Sequence, residues 1–599
     1  MILLLGELFN KMIILGVNIS HNSSACLMID GELKLAIQEE RIVRKKNFTG
    51  YPKKSINFCL NYLKEKNIKA DYAVLTTQFL PAFSYKIPIN HFFTIKDYQD
   101  FYGEKFYKKK LKNENVENYI KELIKKNLNI YNLYVDYKKF NHKNIFNNCN
   151  DLNLEYLKKQ TKKYVKSYSV LDHHTCHAYY ALYGLEMPKK KKIGIITMDS
   201  WGDGRNQTFW IKYPNGKMKQ ISSSSECQVG RIYKFITLIL SMKPDEHEYK
   251  VMGMAPYAKT EYAQELYENV FKDILQVKNC KIIHKNKPRD MYDYLKRRLS
   301  NSRFDNISAA VQIFCEKILS ELFTQIYKKY KIQYFCFSGG VAMNVKANKV
   351  LSDLHFVKLL NVPPSGGDES LCIGGCYFIE KKIKKPIGNI YLGRTIENTT
   401  FNQLKKIFPK KFYEIKINVH NKYIAKLLHK GEIIAVARGR EEFGARALGN
   451  RSILANPSNI KAVRKINDQI KNRDFWMPFA LTILKEYHKK YLKNKKNINS
   501  EYMTVAMDSI KEKYDNIIAG SHQYDRTVRP QILNKKRNIK FHNLINEFRK
   551  ISKIPAILNT SFNLHGLPIA SNMNNIAEVI KKSELKYLYL NDKFLIKKK

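Results

Sequence analysis

Residues 12–41 read MIILGVNISHNSSACLMIDGELKLAIQEER, and the fold turns on them. An apolar, β-branched run opens the stretch and gives way to polar residues around His21. Such a run bounded by turn residues reads as a buried strand. Asp30-Gly31 then lies between two alternating runs, a strong short-range signal for a hairpin. The order is strand, polar turn, strand, tight turn, strand.

Residues 191–221, KKIGIITMDSWGDGRNQTFWIKYPNGKMKQI, repeat that logic. An apolar strand ends in Asp199, a polar glycine turn follows, and two strands are joined at Asn215-Gly216. Two such units predict a duplicated α/β fold. Residues 306–330 carry apolar residues at helical spacing. YFCFSGGVAMNVKANKVL (334–351) and NVPPSGGDESLCIGGCYFI (361–379) each read as strand, glycine-rich turn, helix. KKIKKPIGN, ending at Asn389, clusters charge, Pro and Gly and predicts a domain boundary. The first domain then spans 12–385 and the second 390–599. Residues ~85–165 are rich in Lys, Asn, Tyr and Phe and read as an inserted, mainly helical segment.

The chain has 599 residues and a formal charge of +51, from 105 Lys+Arg against 54 Asp+Glu. A nucleic-acid partner concentrates such charge in one arm or helix. Here it is spread in short runs such as KKKK at 189–192, beside abundant Asn, Ile and Tyr, so composition bias is the reading and no nucleic acid is expected. Ten cysteines are scattered without a CxxC pair, which signals neither a zinc ribbon nor a thioredoxin-like site. Cys372 and Cys376 read as small packing residues. No stretch reaches the length of a membrane span. The first residues lack the basic start and cleavage site of a signal peptide. The domain pattern begins at Met12, and residues 1–11 read as an upstream extension of the reading frame. A cytoplasmic protein with reduced thiols is expected.

Three constellations carry chemistry. LDHHTCHAYYAL (171–182) places His173 and His177 one helical turn apart, so both imidazoles can face one ion. Alone that spacing is a common coincidence. Asp199 and Asp368, each after an apolar strand, complete a set suited to a divalent first-row metal with open positions. Oxygen ligands and missing thiolates argue against structural zinc. Second, Gly339 and Gly340 in SGG could offer backbone N–H groups to phosphate, or simply form a tight turn. Third, FGARALGNRSIL (443–454), IKNRDFWMPFA (470–480), HQYDRTVRPQ (522–531) and NTSFNLHG (559–566) are dense in Arg, Lys, Gly and Asn. Arg446, Arg451, Lys471 and Arg473 suit a pocket for small acyl phosphates; the alternative is a set of solvated helix faces.

Together with GVNISHNSSACLMIDGELKLAIQEER, EHEYKVMGMAPYA (246–258), SGGVAMN and GGDES, these stretches resemble the NodU/CmcH family of O-carbamoyltransferases, in the family's motif order. The resemblance covers nearly the whole chain apart from ~85–165. It implies a duplicated actin-like (RNase H-like) ATPase domain followed by a YrdC-like α/β domain. The second would convert carbamoyl phosphate and ATP into carbamoyl adenylate, and the first would pass the carbamoyl group to a hydroxyl of a sugar or secondary metabolite beside an iron-type ion. Free carbamoyl adenylate reacts with water, a physical reason for fusing the two domains.

Carried across, the resemblance makes His173, His177, Asp199 and Asp368 the metal ligands, Fe2+ being the expected ion, and His21 the candidate general base. Glu248, Lys250, Gly339, Gly340 and Asn344 match positions near the adenylate. Arg446, Arg451, Lys471 and Arg473 match the carbamoyl phosphate and ATP pocket, lined by Asn559 and Ser561. The chain departs from the family pattern at Asn22, Met477, Leu481, Leu567 and Arg526, the last standing where glycine is usual. A small hydroxyl acceptor is the expected partner; the alternative is a threonylcarbamoyl-type transferase acting on tRNA. A non-catalytic, actin-like nucleotide-binding protein is a third reading, against which the His/Asp set and the arginines stand.

Overall fold

The computed structural model describes residues 11–78, 94–105, 111–112, 149–381 and 384–599. The chain forms two compact units. One comprises residues up to Glu40 and Asn47–Ile387; the other comprises Arg41–Lys46 and Gly388–Lys599.

In the first unit the opening stretch forms β1 (Ile13–Asn18), β2 (Ser24–Ile29) and β3 (Glu32–Gln38). Asp30 and Gly31 have φ of 51° and 70°, the two left-handed residues that a type I′ hairpin turn requires. β4 (Ala70–Thr76) and β5 (Val165–Leu171) complete a sheet of order β3-β2-β1-β4-β5. β1–β2 and β2–β3 are antiparallel, β1–β4 and β4–β5 parallel.

The second sheet repeats this plan. β6 (Ile193–Gly202), β7 (Arg205–Lys212) and β8 (Met218–Ser224) form the antiparallel set. A side hairpin of β9 (Leu275–Lys278) and β10 (Lys281–His284) follows. β11 (Tyr334–Ser338) and β12 (Leu359–Asn361) add in parallel, giving the order β12-β11-β6-β7-β8. Each sheet thus places its first strand centrally, two antiparallel strands on one side and two parallel ones on the other. The turn at Asn215-Gly216 differs from the first hairpin: only Gly216 is left-handed (φ 87°).

β1 is buried along its whole length, which explains an apolar run in place of alternation. Ile13, Leu15 and Val17 join a core with Ile56, Cys59, Leu60 and Leu63 of α1 (Lys53–Lys66) and Leu157 of α2 (Cys149–Thr161). Residues 149–165 were expected inside the insertion. Instead α2 and the start of β5 form the parallel crossover from β4, because Leu157 and Val165 fill the same core. Of the remainder, residues 95–105 form a short helical segment on which Tyr102 meets Phe235 and Tyr292 at 5.1 and 5.9 Å. Residues 1–10, 79–93, 106–110 and 113–148 lie outside the described residues.

Two helices meet between the sheets. α3 (His173–Tyr183) packs Ala178, Ala181 and Leu182 on Ile193, Ile195 and Cys336 of the second sheet. α4 (Leu371–Ile379) lies on the first, where a Cβ at Gly16 would come 2.2 Å from the Cys372 carbonyl oxygen. Cys26 and Cys376 pack there with sulfurs 3.5 Å apart. The helices touch at Gly374, whose added Cβ would lie 1.9 Å from the Cys176 carbonyl. Gly374→Ala is therefore expected to lower unfolding free energy by at least the upper end of the ~1–3 kcal/mol typical of overpacking. Gly388→Ala, whose Cβ meets nothing within 4 Å, is expected to stay within about 0.5 kcal/mol. Denaturant titration of both variants measures the difference.

The second unit is built on one mixed sheet. Its strands are β13 (Tyr413–Lys416), β14 (Ile434–Ala437), β15 (Arg451–Ala455), β16 (Ala480–Leu484), the small pair β17 (Met507–Asp508) and β18 (Thr527–Val528), β19 (Pro530–Leu533), β20 (Ala556–Ser561), β21 (Tyr587–Leu590) and β22 (Phe594–Lys598). The main order is β13-β22-β21-β14-β15-β20-β16-β19. Arg41–Lys46, expected in the first domain, belongs with this unit: Arg41 donates to the Gly444 carbonyl at 2.5 Å and Arg44 to those of Pro568 and Ile569. Among the described residues no helix is long and apolar enough to cross a membrane.

Candidate functional site

β5 delivers the chain to Asp172, whose carboxylate caps α3 by accepting from Thr175 N at 2.8 Å. The first turn of α3 then presents His173 and His177 on one face. β6 contributes Asp199 and the turn after β12 contributes Asp368. One ligand atom from each of these four buried residues lies within 4.8 Å of all the others. His177 Nε2 is 3.4 Å from Asp199 Oδ2 and 3.5 Å from Asp368 Oδ1; His173 Nε2 is 4.0 and 3.5 Å from the same oxygens. Ligands about 2 Å from a single ion have such spacings. Both Nε2 atoms are buried without a hydrogen-bond partner among the described residues, so the donor set fits a divalent cation.

The surroundings fix these groups. Asp199 accepts from Ser200 N through Oδ1 and Gly340 N through Oδ2, at 2.6 and 3.0 Å. Asp368 Oδ2 accepts from Ser20 Oγ at 2.7 Å. A Cβ at Gly202 would come 2.2 Å from His173 Cδ2. Burial works against charge on His177, but the two carboxylates outweigh it and raise its pKa to about 9. Burial also works against charge on Asp199, yet the imidazoles hold it well below the usual carboxylate range. The carboxylates therefore favour a proton on His177, which a cation held at this cluster would have to displace.

His174, between the pair, has a different task. Its Nε2 faces the Arg205 carbonyl at 3.2 Å, so that nitrogen donates, and its Nδ1 accepts from Thr197 Oγ1 at 2.7 Å. Thr208 donates to Thr197, and Trp210 Nε1 to Thr208. Burial, then His173 and His177, lower the His174 pKa to about 3, so it is a neutral strut.

The turn expected to cradle phosphate is otherwise engaged. Gly339 N donates to Gly366 O at 2.8 Å, and Gly340 N to Asp199. Gly339, at φ 103°, is required because a Cβ would meet the Met198 carbonyl at 2.2 Å. Asn344 caps the helix Val345–Asp353 and exchanges hydrogen bonds with Gln312. Glu248 accepts from Asp245 N at 2.6 Å; burial and Asp245 raise its pKa to about 7. Lys250 is half-buried two residues along the same helix. His21 is half-buried beside Ser20, its carbonyl accepting from Asn18.

In the second unit, Lys471 Nζ contacts the Ser561 carbonyl, Ser561 Oγ at 3.1 Å, Asn563 Oδ1 at 2.7 Å and the Asn563 carbonyl at 3.0 Å. Burial, then Arg473 and Lys46, push its pKa well below the lysine range. Arg473 lies half-buried over the Phe479 ring, 5.5 Å from the centroid, and Arg446 is half-buried. Arg451 is different. It is fully buried, and its two terminal nitrogens donate to the carbonyls of Arg438, Asn450, Arg394 and Gly439. Its expected phosphate contacts give way to a role as a backbone clamp. Asn559 Nδ2 donates to Ala447 O and Thr482 Oγ1 at 3.1 and 3.0 Å.

Sequence reading missed Ser20, Thr77, Ser338, Glu442 and Asn563. Glu442 Oε1 accepts from the N–H groups of Leu448, Asn450 and Arg451 and so shapes the 443–451 loop. Asn563 carried a signal, since it closes the NTSFN stretch. Ser20, Thr77 and Ser338 are ordinary residues whose partners lie far away in sequence.

Family profiles described as Carbamoyltransferase N-terminus and Carbamoyltransferase C-terminus match residues 13–377 and 425–598. The chain belongs to the carbamoyltransferase family. An uncharacterized protein of Methanocaldococcus jannaschii is 30% identical over 98% of this chain and 99% of its own. The nodulation protein NolO of Bradyrhizobium diazoefficiens is 24% identical over 72% of this carbamoyltransferase and 79% of its own length. Full-length HypF, solved in a phosphate- and nucleotide-bound form, overlays at TM-score 0.30 and 11% identity on 63% of this chain and 48% of its own, too loosely to bear on the fold. The protein is a transferase that moves carbamoyl groups.

Proposed function

We propose that this carbamoyltransferase acts in two stages. The second unit, read as YrdC-like, turns carbamoyl phosphate, ATP and one water into carbamoyl adenylate: water takes the phosphate from the carbamoyl group, and the freed carbamate oxygen attacks the α-phosphorus of ATP, with pyrophosphate leaving. The first, read as duplicated and actin-like, lets a hydroxyl of a sugar or secondary metabolite attack the carbamoyl carbon, with AMP leaving. The observation that carries the reading is the convergence of His173, His177, Asp199 and Asp368 from separate elements. These side chains would hold a divalent cation, Fe2+ by resemblance, which when bound supplies positive charge beside the developing negative charge on the carbonyl. Ser20 positions Asp368, and the adjacent His21 is the candidate to take the acceptor's proton. Lys471, Arg473 and Arg446 are the candidates to hold the anionic substrates, with Ser561 and Asn563 fixed around Lys471.

Two assays test this. Purified protein is expected to catalyse ATP–pyrophosphate exchange only when carbamoyl phosphate is supplied. With labelled carbamoyl phosphate, ATP and a panel of sugars and nucleosides, mass spectrometry is expected to find one carbamoylated acceptor class. Exchange that ignores carbamoyl phosphate would sink the adenylate route. Carbamoylation confined to tRNA would sink the small-molecule acceptor.

A further inference from the structure

We infer that Thr77 is a positioning residue for the ion-binding histidines, its hydroxyl pinned against His173 Nδ1 so that Nε2 faces the two carboxylates bare. The inference rests on the reading of His173, His177, Asp199 and Asp368 as a cation site.

Thr77 follows the last residue of β4, is 2% exposed, and has φ of 84°. A β-branched residue is a true outlier there, where glycine or asparagine would sit at lower cost. The backbone is clamped on both sides. Thr77 N donates to Leu171 O at 2.9 Å, extending the β4–β5 ladder one step past Thr76. Gln78 N donates to Asp203 Oδ2 at 2.9 Å. That same oxygen accepts His173 N at 2.6 Å. Asp203 therefore ties the residue after Thr77 to the first residue of α3, and Thr77 Oγ1 lies 3.1 Å from His173 Nδ1.

The chemistry of the pair explains why a hydroxyl is kept at a strained position. A neutral imidazole carries one ring proton, and an ion at Nε2 requires it on Nδ1. Thr77 Oγ1 accepts that proton's hydrogen bond. Ser338 treats the second histidine alike: its Oγ donates to Gly366 O at 3.2 Å, which leaves a lone pair toward His177 Nδ1 at 3.5 Å. Partners of this kind commonly set ligand tautomer and orientation.

The test uses the full chain stripped of metal, titrated with Co2+ in competition with a chromophoric chelator, and three variants. Thr77→Gly relieves the backbone and deletes the hydroxyl; Thr77→Val keeps the shape and deletes the hydroxyl; Thr77→Ser keeps the hydroxyl. Co2+ affinity is expected to fall about 10–100-fold in the Gly and Val variants, with a changed Co2+ absorption band, and to return to within a few-fold of wild type in Thr77→Ser. Thermal stability of the ion-free Thr77→Gly protein is expected to hold or rise, opposite to its affinity, which a merely structural residue would not produce. Gly and Val variants that bind Co2+ as wild type does overturn the role of Thr77 alone. A wild-type chain that binds no Co2+ overturns the cation site itself, and this inference with it.

Discussion

Alanine at His177 is expected to lower carbamoyl transfer by about 10^3-fold, taking a cation's several kcal/mol of transition-state stabilisation at roughly 1.4 kcal/mol per factor of ten. The same variant is expected to leave carbamoyl-phosphate-dependent ATP–pyrophosphate exchange within about twofold, since His177 belongs to the first unit and the residues proposed for adenylate formation to the second. The prediction is sharp because His177 contacts both carboxylates, at 3.4 and 3.5 Å. Its loss leaves Asp199 and Asp368 facing each other with only His173 near, so the proposed ion would lose a ligand and Asp199 would lose one of the two imidazoles that hold it ionised. Adding the ion back should not rescue it. Metal content by elemental analysis and the two assays, run on one preparation, check the claim. Transfer at the wild-type rate from a metal-free His177→Ala protein would remove the ion from the reaction.

What could be read in advance depended on how local the determining contacts are. Asp30-Gly31 announced the first hairpin because the turn's demand for two left-handed residues is met by the dipeptide itself. Continuous burial of β1 followed from its unbroken apolar run. His173 and His177 were legible as a pair because helical spacing alone brings them together. Their meeting with Asp199 and Asp368 is a property of the two sheets. Polar groups whose partners come from elsewhere were misread. Gly340 N–H looks available in SGG until Asp199 is seen to occupy it. Arg451 looks like a phosphate ligand until carbonyls from residues 394, 438, 439 and 450 surround it. Thr77 carries no local sign of φ 84°, which long-range bonds impose. Arg526, by contrast, sits at φ 59°: the backbone keeps the conformation for which glycine is usual, and the guanidinium lies over the Tyr514 ring at 4.9 Å.

Lys471→Met is expected to abolish both reactions, with exchange falling by about 10^2–10^3-fold, the usual loss when one preorganised charge donor leaves a reacting centre. Methionine keeps the methylenes but withdraws the amino group from Ser561 and Asn563. Part of the loss is therefore positional, because those acceptors are left without their donor. The electrostatic part has its own signature. Burial, Arg473 and Lys46 disfavour the charged amine, and an incoming phosphate offsets all three. Substrate binding should therefore draw a proton onto Nζ. Because the folded-state pKa is depressed, affinity for carbamoyl phosphate is expected to fall as pH rises through that pKa, below the range of an ordinary lysine. The methionine variant should lose this pH dependence as well as the affinity, whereas Ser561→Ala should weaken binding and keep it. Calorimetric titration with carbamoyl phosphate in buffers of different ionisation enthalpy reads the proton uptake directly. Loss of transfer alone at His177, against loss of both steps at Lys471, is the pattern two reactions in series must give. A Lys471→Met protein that still exchanges pyrophosphate would place adenylate formation away from this lysine.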